Sequence, residues 1–388
     1  MQFVALPYFV HEQTGSSFAT ALTAAAQVLP GITLGPVAGA LADRRDSRRL
    51  LIGANLVLAA VTLAFCVALV GPWWVVVVVA FAQAVVAQLV APAEVVLVPA
   101  LVPTASLPAA NSLSAANNSL ARLIGPAAGG LLYAAAGLPT VAVANAASFA
   151  VAALLVSRVD AGTDAAAPAE PGRRPGRLRT SWLRLTHGWP AGWREIRRQA
   201  LLGRLVVFIV LTGLGEGCVS ALLAPYVAEV LGSSTALGLL LTCQAAGGVV
   251  GALIMSRHAV IDRLPRTLGT AAIVCGVVLA GLIAYPLRYP QLWPALVLIT
   301  VAGLPFAAVA AAQTTLLQTL PDPSVRGSVF GVAVAAAGAA QLIGILTAGY
   351  LADRLTIYVL LVDAPCYLLA GLVILQGRQR KSRPEPSP

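Results

Sequence analysis

Apolar residues in this chain run in long blocks, and polar positions are confined to short breaks between them, unlike the narrow stripes of a water-soluble fold. The blocks span 1–10, 19–42, 50–70, 73–102, 107–136 and 138–157, then 204–230, 235–256, 267–287, 291–318, 328–351 and 356–376. Crossing a hydrocarbon layer ~30 Å thick takes roughly 20 apolar residues in a helix. Every block but the first therefore predicts a membrane-spanning helix. The first has only Met1 to Val10 before His11, about half a crossing, and predicts a truncated first helix. Breaks such as Gly71-Pro72, Gly137-Leu138-Pro139 and Gly232-Ser233-Ser234 are short turns that join antiparallel neighbours.

One connection differs in kind. Residues 158–203 are rich in Pro, Gly and Arg and carry Trp182, Trp189 and Trp193 among basic residues, which predicts a flexible linker followed by an interfacial amphipathic helix. The expected organisation is an all-α membrane protein of two six-helix bundles, 1–157 and 204–377, joined by the linker at 158–203 and followed by a tail at 378–388.

Composition agrees. With 59% hydrophobic and 10% charged residues and a mean hydropathy of +0.85, the chain cannot cover itself with polar surface in water. Its net charge of +10 would suit a nucleic-acid partner, but the placement of the charges favours topology instead. Arg44, Arg45, Arg48 and Arg49, the series from Arg158 to Arg204, then Arg257, Arg263, Arg266, Arg326 and the tail cluster all fall on one side if the segments alternate; only Arg288 and Arg354 fall on the other. That pattern predicts a multi-pass protein of a prokaryotic plasma (inner) membrane with both termini cytoplasmic. The five cysteines are isolated in apolar runs and the three histidines are scattered, which argues against disulfides, metal sites and bound cofactors.

An offset of about 218 residues lays Pro103 on Pro321, Leu123-Ile124-Gly125 on Leu342-Ile343-Gly344, and Asn145 to Phe149 on Asp363 to Tyr367. The matches keep their order, as a tandem duplication requires. Parallel repeats place a substrate path between the halves near the bilayer midplane.

The strongest local motif is Gly39-Ala40-Leu41-Ala42-Asp43-Arg44-Arg45-Asp46-Ser47-Arg48-Arg49, at the end of segment two. Here the chain resembles the major facilitator superfamily, whose loop between helices two and three carries Gly, an acid four residues later and a basic cluster. The resemblance implies that Gly39 permits close helix approach, while Asp43 engages a helix end across the domain interface and nearby Arg44, Arg48 and Arg49, latching one conformation; a carboxylate is stabilised in such a place. The equivalent stretch of the second half, Gly251 to Arg257, lacks the acid, so the latch is asymmetric. Segment five carries Gly125-Pro126-Ala127-Ala128-Gly129-Gly130, which looks like the end of the antiporter motif of exporters in this superfamily; Pro breaks a backbone hydrogen bond and Gly allows close contact, which generic packing also explains. With Ala5-Leu6-Pro7, Ala109 to Ser114 and Pro321 to Gly327, these stretches resemble the drug:proton antiporter-like branch that contains macrolide-efflux and enterobactin-exporter-like proteins.

Ionisable groups inside lipid are expensive and therefore informative. Glu216 lies about twelve residues, or ~18 Å, into segment seven and is the first proton-carrier candidate; a carboxyl hydrogen-bonded in a helix interface is the alternative. Glu94 and Arg122 lie in the inner halves of segments four and five, where they can pair or Glu94 can be solvated. Asp363, matched to Asn145 by the repeat, ranks below Glu216. Gln27, Gln83, Gln88, Gln244 and Gln313 interrupt apolar helices and either line a substrate cavity or bond neighbouring helices.

The leading expectation is a monomeric secondary exporter that uses a proton gradient to move a small amphipathic molecule across the lipid bilayer. An uptake symporter, a lysophospholipid flippase and a transport-silent scaffold or sensor are the alternatives. ATP drive is unsupported because no GxxxxGK[ST] loop is present, and the His and Lys inventory offers no site for an intramembrane enzyme.

Overall fold

The computed structural model describes residues 2–42, 46–68, 71–103, 106–159, 190–231, 234–258, 263–285, 289, 291–322 and 325–376. The first half comprises α1 (Gln2–Thr14), α2 (Ser17–Ala42), α3 (Ser47–Ala68), α4 (Trp73–Ala87), α5 (Val90–Leu101) and α6 (Leu107–Arg158). A short helix, α7 (190–198), precedes the second half. That half comprises α8 (Ala200–Leu231), α9 (Ser234–His258), α10 (Leu264–Ala284), α11 (Leu292–Thr319), α12 (Arg326–Leu355), a 3-10 stretch (Thr356–Val362) and α13 (Asp363–Gln376). Among the described residues, ten helical spans are long and apolar enough to cross a membrane. With α6 counted as two crossings and the short α1 added, they make two six-helix bundles.

Two boundaries differ from the sequence prediction, at segments four and twelve, each for a local reason. Segment four breaks at Gln88-Leu89 into α4 and α5. Pro92 cannot donate to the carbonyl of Gln88, and its ring would clash with it. Segments five and six, together α6, turn back as expected at Ala136 (φ −153°) and Gly137 (φ +72°); the second value belongs to the left-handed region that glycine enters without a β-carbon penalty. Pro126 lies ahead of this break and keeps helical backbone angles. Segment twelve opens as a 3-10 turn before α13 begins at Asp363.

Hydroxyls in the spans mostly turn onto their own helix. Thr23 donates to the Ala19 carbonyl at 3.0 Å, Thr212 to Phe208 at 3.0 Å and Thr347 to Ile343 at 2.7 Å. This satisfies the group without a partner helix in a solvent that offers no hydrogen bonds.

Helix contact relies on small residues. In the second half, a β-carbon on Gly213 would come within 3.0 Å of the Ala337 carbonyl oxygen and one on Gly217 within 2.9 Å of the Ile345 nitrogen, while Gly344 faces Gly217 from α12. The α8–α12 crossing is thus a Gly-xxx-Gly face against a glycine, the close backbone approach that drives helix association in lipid. Between the halves, α2 packs on α12 and α6 on α9, with α1 touching α8 and α9. Ala21, Ala24 and Ala25 of α2 join the core of the second bundle.

The ends of the bundles are unequal. Among the described residues, one carries Arg48, Arg49, Arg158, Arg194, Arg197, Arg198, Arg204, Arg263, Arg266 and Arg326; the other carries the α1–α2 turn, the end of α8 with the start of α9, and the end of α10 with the start of α11. At this arginine-poor end the halves meet closely. A β-carbon on Gly238 of α9 would lie 2.6 Å from the Pro126 carbonyl oxygen and 3.2 Å from Gly130 of α6, and one on Gly349 of α12 would collide with Ala21 of α2.

Candidate functional site

Glu216 stands midway along α8, whose long apolar run holds it at bilayer depth. Its carboxylate accepts a hydrogen bond from the Tyr367 hydroxyl at 2.8 Å. Tyr367 is fully buried on α13 and lies one turn beyond Asp363, so both project from the same face of that helix. Asp363 is only 2% exposed, and its Oδ1 has no hydrogen-bond partner among the described residues. It packs on the backbone of Gly215, where a β-carbon would collide with Oδ1 and sit 3.1 Å from the Asp363 Cα. The absence of a side chain at Gly215 lets α13 bring Asp363 beside Glu216.

These groups line a cavity of about 390 Å³ in the arginine-poor half of the second bundle. Its walls are mainly aliphatic, including Leu237, Leu240, Leu279, Leu282 and Ile299. Ser220, Gln244 and Gln341 add neutral polar groups, and Pro7 of α1 reaches the cavity from the first half. No Lys, Arg or His is among its lining residues. Titratable groups close to the two carboxyls are Tyr367 and Cys366 on α13, Cys275 on α10 and Cys218 on α8. Among the described residues no three His, Cys, Asp or Glu side chains converge as a metal site would need.

The other sequence candidates are distributed differently. Gln244 lines the cavity and Gln27, Gln83, Gln88 and Gln313 do not. Gln83 donates to Thr62 at 2.8 Å, and Gln27 and Gln88 donate to the carbonyls of Thr23 and Ala84. Glu94 is exposed on α5. Arg122 belongs to α6, but its side chain lies outside the described residues, as do Asp43 and Arg44; Gly39 is helical, with its surroundings likewise outside them.

The described part of the basic motif joins elements of the first bundle. Asp46 caps α3 by accepting from the backbone N–H of Arg48 at 3.0 Å and of Arg49 at 3.2 Å. The Arg48 guanidinium donates to the carbonyls of Val156 and Ser157, which places a cation on the C-terminal end of α6. Gly129 and Gly130 are buried, and the Gly125 to Gly130 stretch forms the α6 surface that meets Gly238.

Two features escaped the sequence reading. Tyr367 was included in the repeat, but a phenol in an apolar run gives no sign of its partner. Pro7-Tyr8 and Pro225-Tyr226 recur at the same 218-residue offset, and Pro7 and Tyr226 both line the cavity. The repeat also sets Gln341, immediately before Leu342-Ile343-Gly344, opposite Arg122, immediately before Leu123-Ile124-Gly125.

Two six-helix bundles that touch through paired helices and hold buried carboxyls define a transporter of the major facilitator type. Within that class the chain belongs to the transmembrane secretion effector family, whose description matches residues 1–383. It is 30% identical over 393 residues to the multidrug efflux pump Tap of Mycolicibacterium fortuitum, with 97% of this chain and 92% of that protein covered. It is 24% identical over 382 residues to macrolide efflux protein A of Streptococcus pyogenes, with 96% and 88% covered. Among solved structures, a variant of the nucleoside transporter NupG matches with TM-score 0.71 at 13% identity, covering 97% of this chain and 94% of that one. A bacterial homologue of the human lysosomal transporter Spinster, inward-facing and unoccupied, matches with TM-score 0.61 at 15% identity, covering 100% and 96%. Both likenesses concern the fold.

Proposed function

We propose that this protein is a proton-coupled exporter that moves small amphipathic molecules out of the cell by alternating access. The observation that carries the reading is the presence of Glu216 and Asp363 in the lining of one apolar cavity of the second bundle. A carboxylate in a low-dielectric wall is costly unless it is protonated or paired, so the pair responds to the occupancy of the cavity. Glu216 is the principal proton carrier, held in place by Tyr367, and Asp363 is the second acid. Efflux pumps among the relatives favour the outward direction.

The arginine-rich end is assigned to the cytoplasm. Close contacts of Gly238 with Pro126 and of Gly349 with Ala21 then seal the external side, and the conformation opens inward. Rocking about the α2–α12 and α6–α9 contacts exchanges this state for an outward-opening one. Gly39, Asp43, Arg44, Arg48 and Arg49 are assigned the cytoplasmic latch of the outward-opening state, and Arg122 a place on the path equivalent to that of Gln341.

Direction and drive are tested together in vesicles containing the full chain. Antiport accumulates a permanently charged amphipathic dye in vesicles with an acidic lumen and expels it from vesicles with an alkaline lumen. Accumulation only with an alkaline lumen would replace antiport by symport, and export by uptake.

A further inference from the structure

The short helix α7 leaves the axis of the membrane span that follows it. A β-carbon on Gly203 of α8 would lie 3.3 Å from the Ile196 carbonyl oxygen, whereas residues seven apart in a straight helix stand about 10 Å apart along its axis. The chain therefore bends at Gln199. α7 turns aside at the arginine-rich end, at the level where the apolar span from Ala200 begins.

Its two faces are unlike. Gly192, Glu195 and Ile196 are buried; Gly192 abuts the Ser328 backbone of α12, and Gln199 at the bend donates to the Leu320 carbonyl at 3.2 Å. The opposite face carries Trp193, Arg194 and Arg197, all exposed. Trp193 and Arg197 are one turn apart, and the Arg197 guanidinium carbon stands 5.3 Å from the centre of the indole. This cation–π contact positions the guanidinium without consuming its N–H donors. Arg198 is already engaged by the Glu195 carboxylate. Among the described residues, neither Arg194 nor Arg197 has an ion-pair partner.

That combination restricts what the face fits. Two adjacent cations attract an anion, and an indole with 47% of its surface exposed is best covered by apolar groups. A soluble anion supplies the first need alone. A phospholipid of net negative charge supplies both, with its phosphate at headgroup level and its acyl chains below, at the depth where tryptophan and arginine settle in membranes.

We infer that the outer face of α7 is a binding site for the headgroup of an anionic phospholipid in the leaflet at the arginine-rich end. Arg194 and Arg197 hold the phosphate through charge-assisted hydrogen bonds, and Trp193 covers the start of the acyl chains. Because the other face of α7 is seated on the α11–α12 turn, the bound lipid ties that turn of the second bundle to the membrane surface. The site lies at the opposite end from the cavity of Glu216 and Asp363, and its occupancy does not depend on the direction in which cargo moves.

The test is native mass spectrometry of the purified full chain titrated in detergent with dioleoylphosphatidylglycerol, or with dioleoylphosphatidylcholine, whose acyl chains are the same and whose headgroup is zwitterionic. The expected result is one phosphatidylglycerol held at least about tenfold more tightly than phosphatidylcholine, since each arginine near an anionic headgroup is worth about fivefold. Arg194→Gln/Arg197→Gln, which leaves the buried face of α7 unchanged, should lose at least about tenfold in phosphatidylglycerol affinity. Arg263→Gln/Arg266→Gln removes two exposed arginines of the same end and should stay within about twofold, because water and salt screen charges that do not touch the headgroup. Equal affinity for the two lipids, or undiminished phosphatidylglycerol binding in Arg194→Gln/Arg197→Gln, overturns the inference. An equal loss in Arg263→Gln/Arg266→Gln also overturns it, because net charge would then account for the binding. Displacement of phosphatidylglycerol by millimolar inorganic phosphate overturns it as well and assigns the two arginines to a soluble anion.

Discussion

Tyr367 donates its phenolic hydrogen to Glu216 across 2.8 Å, and because Asp363 lies four residues earlier on α13, this bond fixes the register in which both acids enter one cavity. Tyr367→Phe keeps the ring and removes the donor. The expected cost is about 1 kcal/mol of stability, read as a small fall in the melting temperature of the purified protein. Gly215→Ala is expected to cost more, about 1–3 kcal/mol, because its new methyl group meets Asp363 and backbone that cannot move freely. Equal melting temperatures for Gly215→Ala and the unaltered chain would show that α8 and α13 do not pack as described.

Gly238 joins the halves where its Cα faces the Pro126 carbonyl. Gly238→Val is expected to reduce transport at least about tenfold, because closure of the arginine-poor end requires that approach, while each bundle keeps its own core. Transport rate and thermal stability measured on the same preparation separate the two effects. Undiminished transport would show that closure proceeds without this contact.

The short helix α7 predicts a pH effect away from the membrane core. Arg198 hydrogen-bonds the Glu195 carboxyl and holds it below the ordinary carboxylate range, with Gln199 donating as well. Gln199 also donates to the Leu320 carbonyl at 3.2 Å, and Gly192 abuts the backbone of Ser328, so the charged carboxylate supports docking of α7 on the α11–α12 turn. A lowered folded-state value means that this support is present above the unfolded value of about 4.3 and is lost as pH falls through the lower folded one. Hydrogen-exchange protection of 190–198 should hold from about pH 8 to about pH 5 and fall below about pH 4. Glu195→Gln should weaken it at neutral pH, and protection independent of both would detach Glu195 from docking.

Much of this architecture is legible in the residues because lipid is a simple solvent. It demands long apolar blocks, and the blocks locate the crossings. The turn at Gly137 is legible too, in Gly137-Leu138-Pro139; the break of segment four at Gln88-Leu89 is not, because Pro is common inside membrane helices. Glu216 is legible as a lone acid at depth, since its cost in lipid is visible without a fold. Its relation to Asp363 is not, because the two residues are 147 positions apart and meet only through α8–α13 packing. The glutamines show the limit of polarity alone: Gln244 reaches the cavity, whereas Gln83 has a neighbouring hydroxyl and Gln27 its own helix. Pro7-Tyr8 and Pro225-Tyr226 carried a signal in their shared offset, and the duplication is the means by which it becomes readable.

The most direct test of coupling through the second bundle is gradient-driven dye uptake into inverted vesicles, with exchange of dye at equal pH measured in parallel. The proposed roles predict that Glu216→Gln loses gradient-driven uptake while retaining exchange, because substrate can still cross with a neutral side chain that no longer carries a proton. Gradient-driven uptake by Glu216→Gln at the rate of the unaltered chain would contradict the assignment of proton coupling to Glu216.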